Sequence, residues 1–142
     1  MPVATFHKFD CFVADVANHV HNLGADALFV MLAKVQPVVG NTIKANITQP
    51  VAGNGYTTDG NAATLVSSVQ AAGLYKLILN DPALWTAGPA AMDTFQWAVL
   101  YNSTPGAGPL IGWLDYGVVI TLNVGDTFFT DFSAVNGVLT LQ

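Results

Sequence analysis

Two apolar rhythms run along this chain. Phe9, Phe12, Val13, Val16, Val20 and Leu23 fall at i, i+3, i+4, i+7, i+11 and i+14, the spacing of a single helical stripe. The pattern predicts one N-terminal amphipathic helix over about residues 8–23, with Phe9, Phe12, Val13, Val16 and Val20 as its packing and assembly face. Thr5 stands where a cap would. Asp10 lies near the positive end of the helix dipole, and Asn22-Leu23-Gly24 offers a left-handed stop.

After Gly24 the rhythm shortens to runs rich in Val, Ile, Thr and aromatics, broken by Gly, Pro, Asn and Asp. Strands are predicted at Leu28–Ala33, Ala63–Val69, Leu74–Leu79, Thr94–Tyr101, Leu110–Asp115, Val118–Leu122, Thr127–Phe132 and Val138–Leu141, with a weaker one at Ile43–Ile47. Asn54-Gly55, Asp59-Gly60, Asn80-Asp81-Pro82, Asp115-Tyr116-Gly117 and Asn136-Gly137 favour reversals, so most neighbours should pair antiparallel. Residues 35–61 carry little alternation and read as a long loop or arm, ahead of a β-body over about 62–142. The expected fold is a single, mainly β domain: an antiparallel, jelly-roll-like β-sandwich with one helix in front.

Several of these strands are apolar on both faces. Leu28, Val30 and Leu32 alternate with Phe29, Met31 and Ala33, and Phe128 and Phe129 point opposite ways. One helix cannot cover several strands. Further copies are therefore expected to cover the rest, as a dimer or trimer, with Phe29, Met31, Tyr56, Trp113 and Phe129 as candidate interface residues.

Charge sharpens this picture. Of 142 residues 52% are hydrophobic and 9% charged, with nine Asp, four Lys and neither Glu nor Arg. A folded monomer of this size exposes on the order of 7,000 Å², so much of its surface must be neutral. Disorder needs the reverse composition. Binding a nucleic acid needs phosphate neutralisation, which a net charge of −5 without Arg opposes.

Candidate chemistry is sparse. Cys11 stands alone, which excludes an internal disulfide and a multi-cysteine zinc site, and a place within a helix does not activate a thiol. His19 and His21, two apart on the expected helix, would face different ways, so no metal site is expected. Most of the Asp residues adjoin Gly, Pro or Asn, where turn formation explains them. No catalytic residue and no cofactor is assigned. Trp85, Trp97 and Trp113 with Tyr56, Tyr75, Tyr101 and Tyr116 are the alternative feature, a platform on which sugars would stack. The opening residues lack a secretory pattern and the densest apolar run, Ala27 to Ala33, is too short for a membrane helix. Synthesis in a cytoplasm and no membrane partner are the expectations.

The segments Lys8-Phe9, Phe12-Val13, Asp15, Ala17-Asn18 and Val20 to Asp26 resemble the N-terminus of a family of small virion structural proteins of tailed bacteriophages and prophages. Ala52 to Thr57, Ala98 to Asn102, Pro109 to Gly117 and Asn136 to Leu141 resemble its later signatures in the same order, so the likeness spans nearly the whole chain. Phe29-Val30-Met31 is more apolar than the family pattern. The resemblance implies a non-enzymatic head decoration or cement protein on the outer capsid surface, with the major capsid protein as partner. The alternative is a tail or surface adhesion domain that binds host glycans through exposed aromatics.

Overall fold

The computed structural model describes residues 4–142. Its elements are β1 (Thr5–Lys8), α1 (Cys11–Ala17), β2 (Leu28–Ala33), β3 (Asn61–Ala63), β4 (Leu65–Ala71), β5 (Leu74–Leu79), β6 (Trp85–Thr86), β7 (Phe95–Asn102), β8 (Leu110–Ile120), β9 (Thr127–Phe128) and β10 (Leu139–Leu141). The strands form antiparallel sheets in the orders β1-β8-β7-β2-β3, β10-β5-β4 and β6-β9. The fold is mainly β with one short helix near the N-terminus.

Alternation in β2 places its residues in two separate cores. Leu28, Val30 and Leu32 join Phe12, Leu77, Leu79, Trp85 and Phe128 in the larger one, where the two smaller sheets pack on the five-stranded sheet. Met31 and Ala33 face the other way and join Phe9, Ile47, Val99, Tyr101, Leu110 and Trp113. Ile47 comes from the long loop, so residues 34–60 cover the second face of the sheet from within the same chain.

This corrects the expectation that other copies must cover that face. The accessible area, 7026 Å², equals the roughly 7,000 Å² of an ordinary folded monomer of this mass. Met31, Tyr56 and Trp113 are buried in the chain's own cores and cannot form an exposed interface; Phe29 is half-buried, and Phe129 is the most open of the five at 37%.

The helix is also shorter than its periodicity predicts. Residues 5–8 pair with Asp115 to Gly112 on β8, and Phe9 N–H continues that ladder to Ile111 O at 3.1 Å. Phe9 is thereby held by the sheet and buried in the smaller core, while Phe12, on the helix, enters the larger one. Thr5 is a strand residue and Asp10 occupies the N-cap position. Beyond Ala17 the chain leaves the helix through His19, in the left-handed region at φ 62°. Val16 and Val20 are half-buried and Val13 points outward, so only Phe12 of the five expected positions is buried on the helix.

Elsewhere the differences are local. Asp115-Tyr116-Gly117 bends one long strand instead of reversing it: Asp115 Oδ1 accepts Gly117 N–H at 2.8 Å and the β7–β8 register shifts there. Ile43–Ile47 contains a 3₁₀ turn at Lys44–Asn46 because Asn46 Oδ1 takes the Thr42 and Ile43 N–H groups. The strand after Thr127 stops at Phe128, and the Phe132 N–H goes to Asp81 Oδ1 at 2.7 Å.

Candidate contact surface

The long loop is ordered from its anchor points inward. Lys34 N–H donates to Thr48 O at 3.0 Å, Leu110 N–H to Thr42 O at 3.0 Å, and Lys44 N–H to Gly108 O at 2.8 Å. Two of the four lysines add ion pairs: Lys34 Nζ lies 2.6 Å from Asp93 Oδ2 and Lys44 Nζ 2.8 Å from Asp59 Oδ2. The Lys44 ammonium donated to Asp59, helped by Gln49, holds that carboxyl below its ordinary range; Lys34 and the Val51 N–H do the same for Asp93.

At its outer end this loop displays apolar side chains. Asn41 pins the turn by accepting Val38 N–H at 2.8 Å and donating its own N–H to Val38 O. Asp10 N–H donates to Val39 O at 3.0 Å, which ties Val38 and Val39 to the first turn of α1. Val35, Val38 and Val39 are exposed, and so is Val13 at 59%. From Val35 to Ile43 the loop carries no charged residue. A valine in water gains nothing there, and a rigid loop lets it bind a partner without much ordering cost.

A second neutral surface is the free edge of β4, where Leu65, Val66 and Val69 are exposed and no residue of the strand is charged. Long uncharged edges invite strand pairing. The bulge between Leu65 and Ser67 interrupts this one and leaves Ser67 to Ala71 regular. A third is an apolar groove of about 400 Å³, where Phe6 and Phe129 meet Phe132 and Val138. Phe129 is the one expected interface residue that lies in it.

The other candidate residues take structural roles. Cys11 Sγ points at the Asn41 and Leu110 carbonyls, 3.6 Å from each, and burial together with the nearby Asp15 carboxylate pushes its thiol up, opposite to activation. Asp26, Asp81, Asp93, Asp115 and Asp126 each accept a backbone N–H, and the Asp59 carboxylate accepts Lys44 Nζ and Gln49 Nε2. Among the described residues no three His, Cys or Asp side chains gather as a metal site, and no helix is long and apolar enough to cross a membrane. Trp85, Trp113, Tyr56, Tyr101 and Tyr116 are buried, so the aromatic platform for sugars is not on the surface. Trp97 and Tyr75 are half-buried.

Sequence reasoning points to the helix and the long loop as contact elements but does not single out the loop's exposed valines, whose spacing follows no period, nor the β4 edge. It also missed His21, which sits not on a helix but in a buried polar cluster with Asn102 and Asp26. Comparison with family models, with curated proteins and with solved structures finds no match for this chain.

Proposed function

We propose that this chain is a bacteriophage virion structural protein: a capsid cement or decoration protein that binds the major capsid protein on the outer surface of the DNA-filled head. It has no enzymatic role in this reading and no nucleic-acid, membrane or cofactor partner. The sequence resemblance points to the virion; the observation that carries the reading is the pinned, uncharged loop that holds Val35, Val38 and Val39 outward and is tied to the start of α1, where Val13 is also exposed. The chain assembles as a dimer or trimer, for which the β4 edge is the surface best suited.

The mechanism is linkage. A protein that binds across neighbouring capsid subunits loses its binding free energy when they separate, so the closed shell gains stability. Each copy needs only a modest interface, because engagement at several points on one shell raises the effective concentration. The net charge of −5 suits an outer surface, away from packaged DNA.

Particles made without this protein should release DNA or rupture at lower temperature, and adding purified protein back should restore them. Unchanged particle stability, with no binding of the added protein to heads, would sink the proposal.

A further inference from the structure

The segment between α1 and β2 folds back on a buried polar cluster. Asn102, without solvent exposure on β7, donates one amide hydrogen to Asp26 Oδ2 at 2.6 Å and directs the other at His21 Nδ1, 3.2 Å away. Its Oδ1 accepts Thr104 N–H at 3.0 Å. Turning the amide over would set Oδ1 against the Asp26 carboxylate and break both bonds. Asn102 therefore fixes the tautomer: Nδ1 accepts, and the proton of the neutral imidazole sits on Nε2.

The His21 side chain has no solvent exposure. Its Nε2 finds no hydrogen-bond partner, the Asp15 carboxylate being 3.8 Å away, and the Phe12 ring lies 5.5 Å from its centroid. The same groups close the loop. Val20 and His21 N–H donate to Asp15 O, at 2.8 and 3.4 Å, and Asn22 N–H donates to Asp26 Oδ2 at 2.8 Å. On its far side the loop borders a cavity of about 630 Å³ facing β4, β5 and β10, with His19, Ser68 and Tyr75 on its wall.

We propose that His21 is an acid-sensitive latch: while neutral it holds residues 18–26 against β7, and protonation at Nδ1 releases them and opens the adjoining cavity. A proton at Nδ1 would confront the Asn102 N–H, so the bond that docks the loop becomes a donor facing a donor. Asp15 on α1 and Asp26 on the loop are the charged groups facing the ring, and both favour the imidazolium. Burial outweighs them and lowers the imidazole below its ordinary value. The released loop thus binds the proton more tightly than the docked one. Docking is full above the ordinary imidazole pKa of about 6.5 and weakens as pH falls below it. Release would uncover Leu23 and one side of Phe12, both buried while the latch is closed.

The test is amide hydrogen exchange on the whole chain at pH 7.5 and 5.0, corrected for intrinsic rates, with histidine NMR titration alongside. Residues 18–26 should lose protection by up to about tenfold per pH unit, one proton being linked to release, while β2, β7 and β8 keep theirs. His21 should stay neutral to below the ordinary imidazole value of about 6.5. His21→Asn, which keeps an acceptor facing Asn102, should remove the pH dependence, whereas His7→Gln and His19→Gln should leave it. Protection of 18–26 that is equal at both pH values, loss spread evenly over the chain, or His21 titrating at or above the ordinary imidazole value of about 6.5 would each overturn the latch. If His21→Asn does not fold, the wild-type titration and exchange decide alone. The result is independent of whether the protein binds a capsid.

Discussion

The Tyr56 hydroxyl lies 3.2 Å from the backbone nitrogen of Leu32 and accepts its hydrogen. Strand β3 pairs with β2 only as far as Val30 and Asn61, so beyond that point the edge of β2 would be left open. Tyr56 reaches in from the long loop to fill it, and its hydroxyl donates to Gln49 Oε1 at 2.6 Å, which also accepts Asp59 N–H. The loop is thus stitched to the sheet by a side chain doing a strand's work. Tyr56→Phe keeps the ring and strands the Leu32 N–H in buried surroundings, a loss of about 1–3 kcal/mol. Urea unfolding should show it as a lower midpoint at unchanged slope; an unaltered midpoint would mean the bond contributes nothing.

Phe9 and Phe12 are three residues apart, yet they fill different cores. Phe9→Ala and Phe12→Ala should each cost about 3–5 kcal/mol, and milder Leu substitutions should add independently in the double variant. Phe12→Asp, which places a charge in the larger core, should not fold. Additivity is checked by a double-mutant cycle in denaturant. A coupling energy near 1 kcal/mol or more would indicate a shared packing site.

Two strands were legible to the residue: the apolar runs Leu28–Ala33 and Leu74–Leu79 stand as predicted. The short helix was not, because a periodic stripe says nothing of competing partners. Once residues 5–8 pair with β8 and His21 bonds to Asn102, too little chain is left for sixteen helical residues. The two-faced β2 was read correctly as needing cover on both sides, but the cover comes from Ile47 and Tyr56 of its own chain. A loop without alternation gave no sign that it would fold back. The contact valines were hidden for the same reason, since Val38 and Ile47 look alike in sequence and only the fold sends one out and the other in.

Acid should loosen the long loop before the sheets. Asp59 and Asp93 have folded pKa values depressed by Lys44 and Lys34 respectively. A depressed carboxylate contributes stability above its unfolded pKa, near 3.9 for Asp, and loses it as pH falls through the folded value. Hydrogen exchange in residues 34–60 should therefore rise below about pH 4, separately from the loop 18–26, whose change begins below about pH 6.5. Asp93→Asn should reduce that acid sensitivity by removing one of the two pairs. Because both pairs are partly solvated, the effect should shrink in high salt.

Val38→Asp and Val39→Asp test the proposed contact surface without disturbing the fold. Both side chains are exposed, so the change in stability should stay within about 0.5 kcal/mol. Binding to heads should fall more than about tenfold if these valines sit in a desolvated contact. Val69→Lys on the free β4 edge should instead weaken self-association, read by sedimentation, and leave the loop surface intact. Heads that bind the Val38→Asp and Val39→Asp variants as tightly as the parent would move the contact elsewhere on the molecule.

Gly60 sits at the entry to β3 with φ +75°, and a Cβ built there would lie 1.9 Å from Val30 O and 2.7 Å from Met31 Cα. Both are backbone atoms of a central strand and neither can yield. Gly117 has nearly the same φ, +74°, with open space around the added carbon. The pair separates two penalties that usually come together. Gly117→Ala should cost the left-handed conformation alone, about 1–2 kcal/mol. Gly60→Ala adds a clash that only moving β3 away from β2 can relieve, so it should lose at least about 2 kcal/mol more. It should also raise exchange at the β2–β3 pairing, Leu28 to Val30, where the Gly117 variant leaves it unchanged. Equal losses for the two variants in chemical denaturation would show that the close approach of Gly60 to β2 contributes nothing to holding the loop on the sheet.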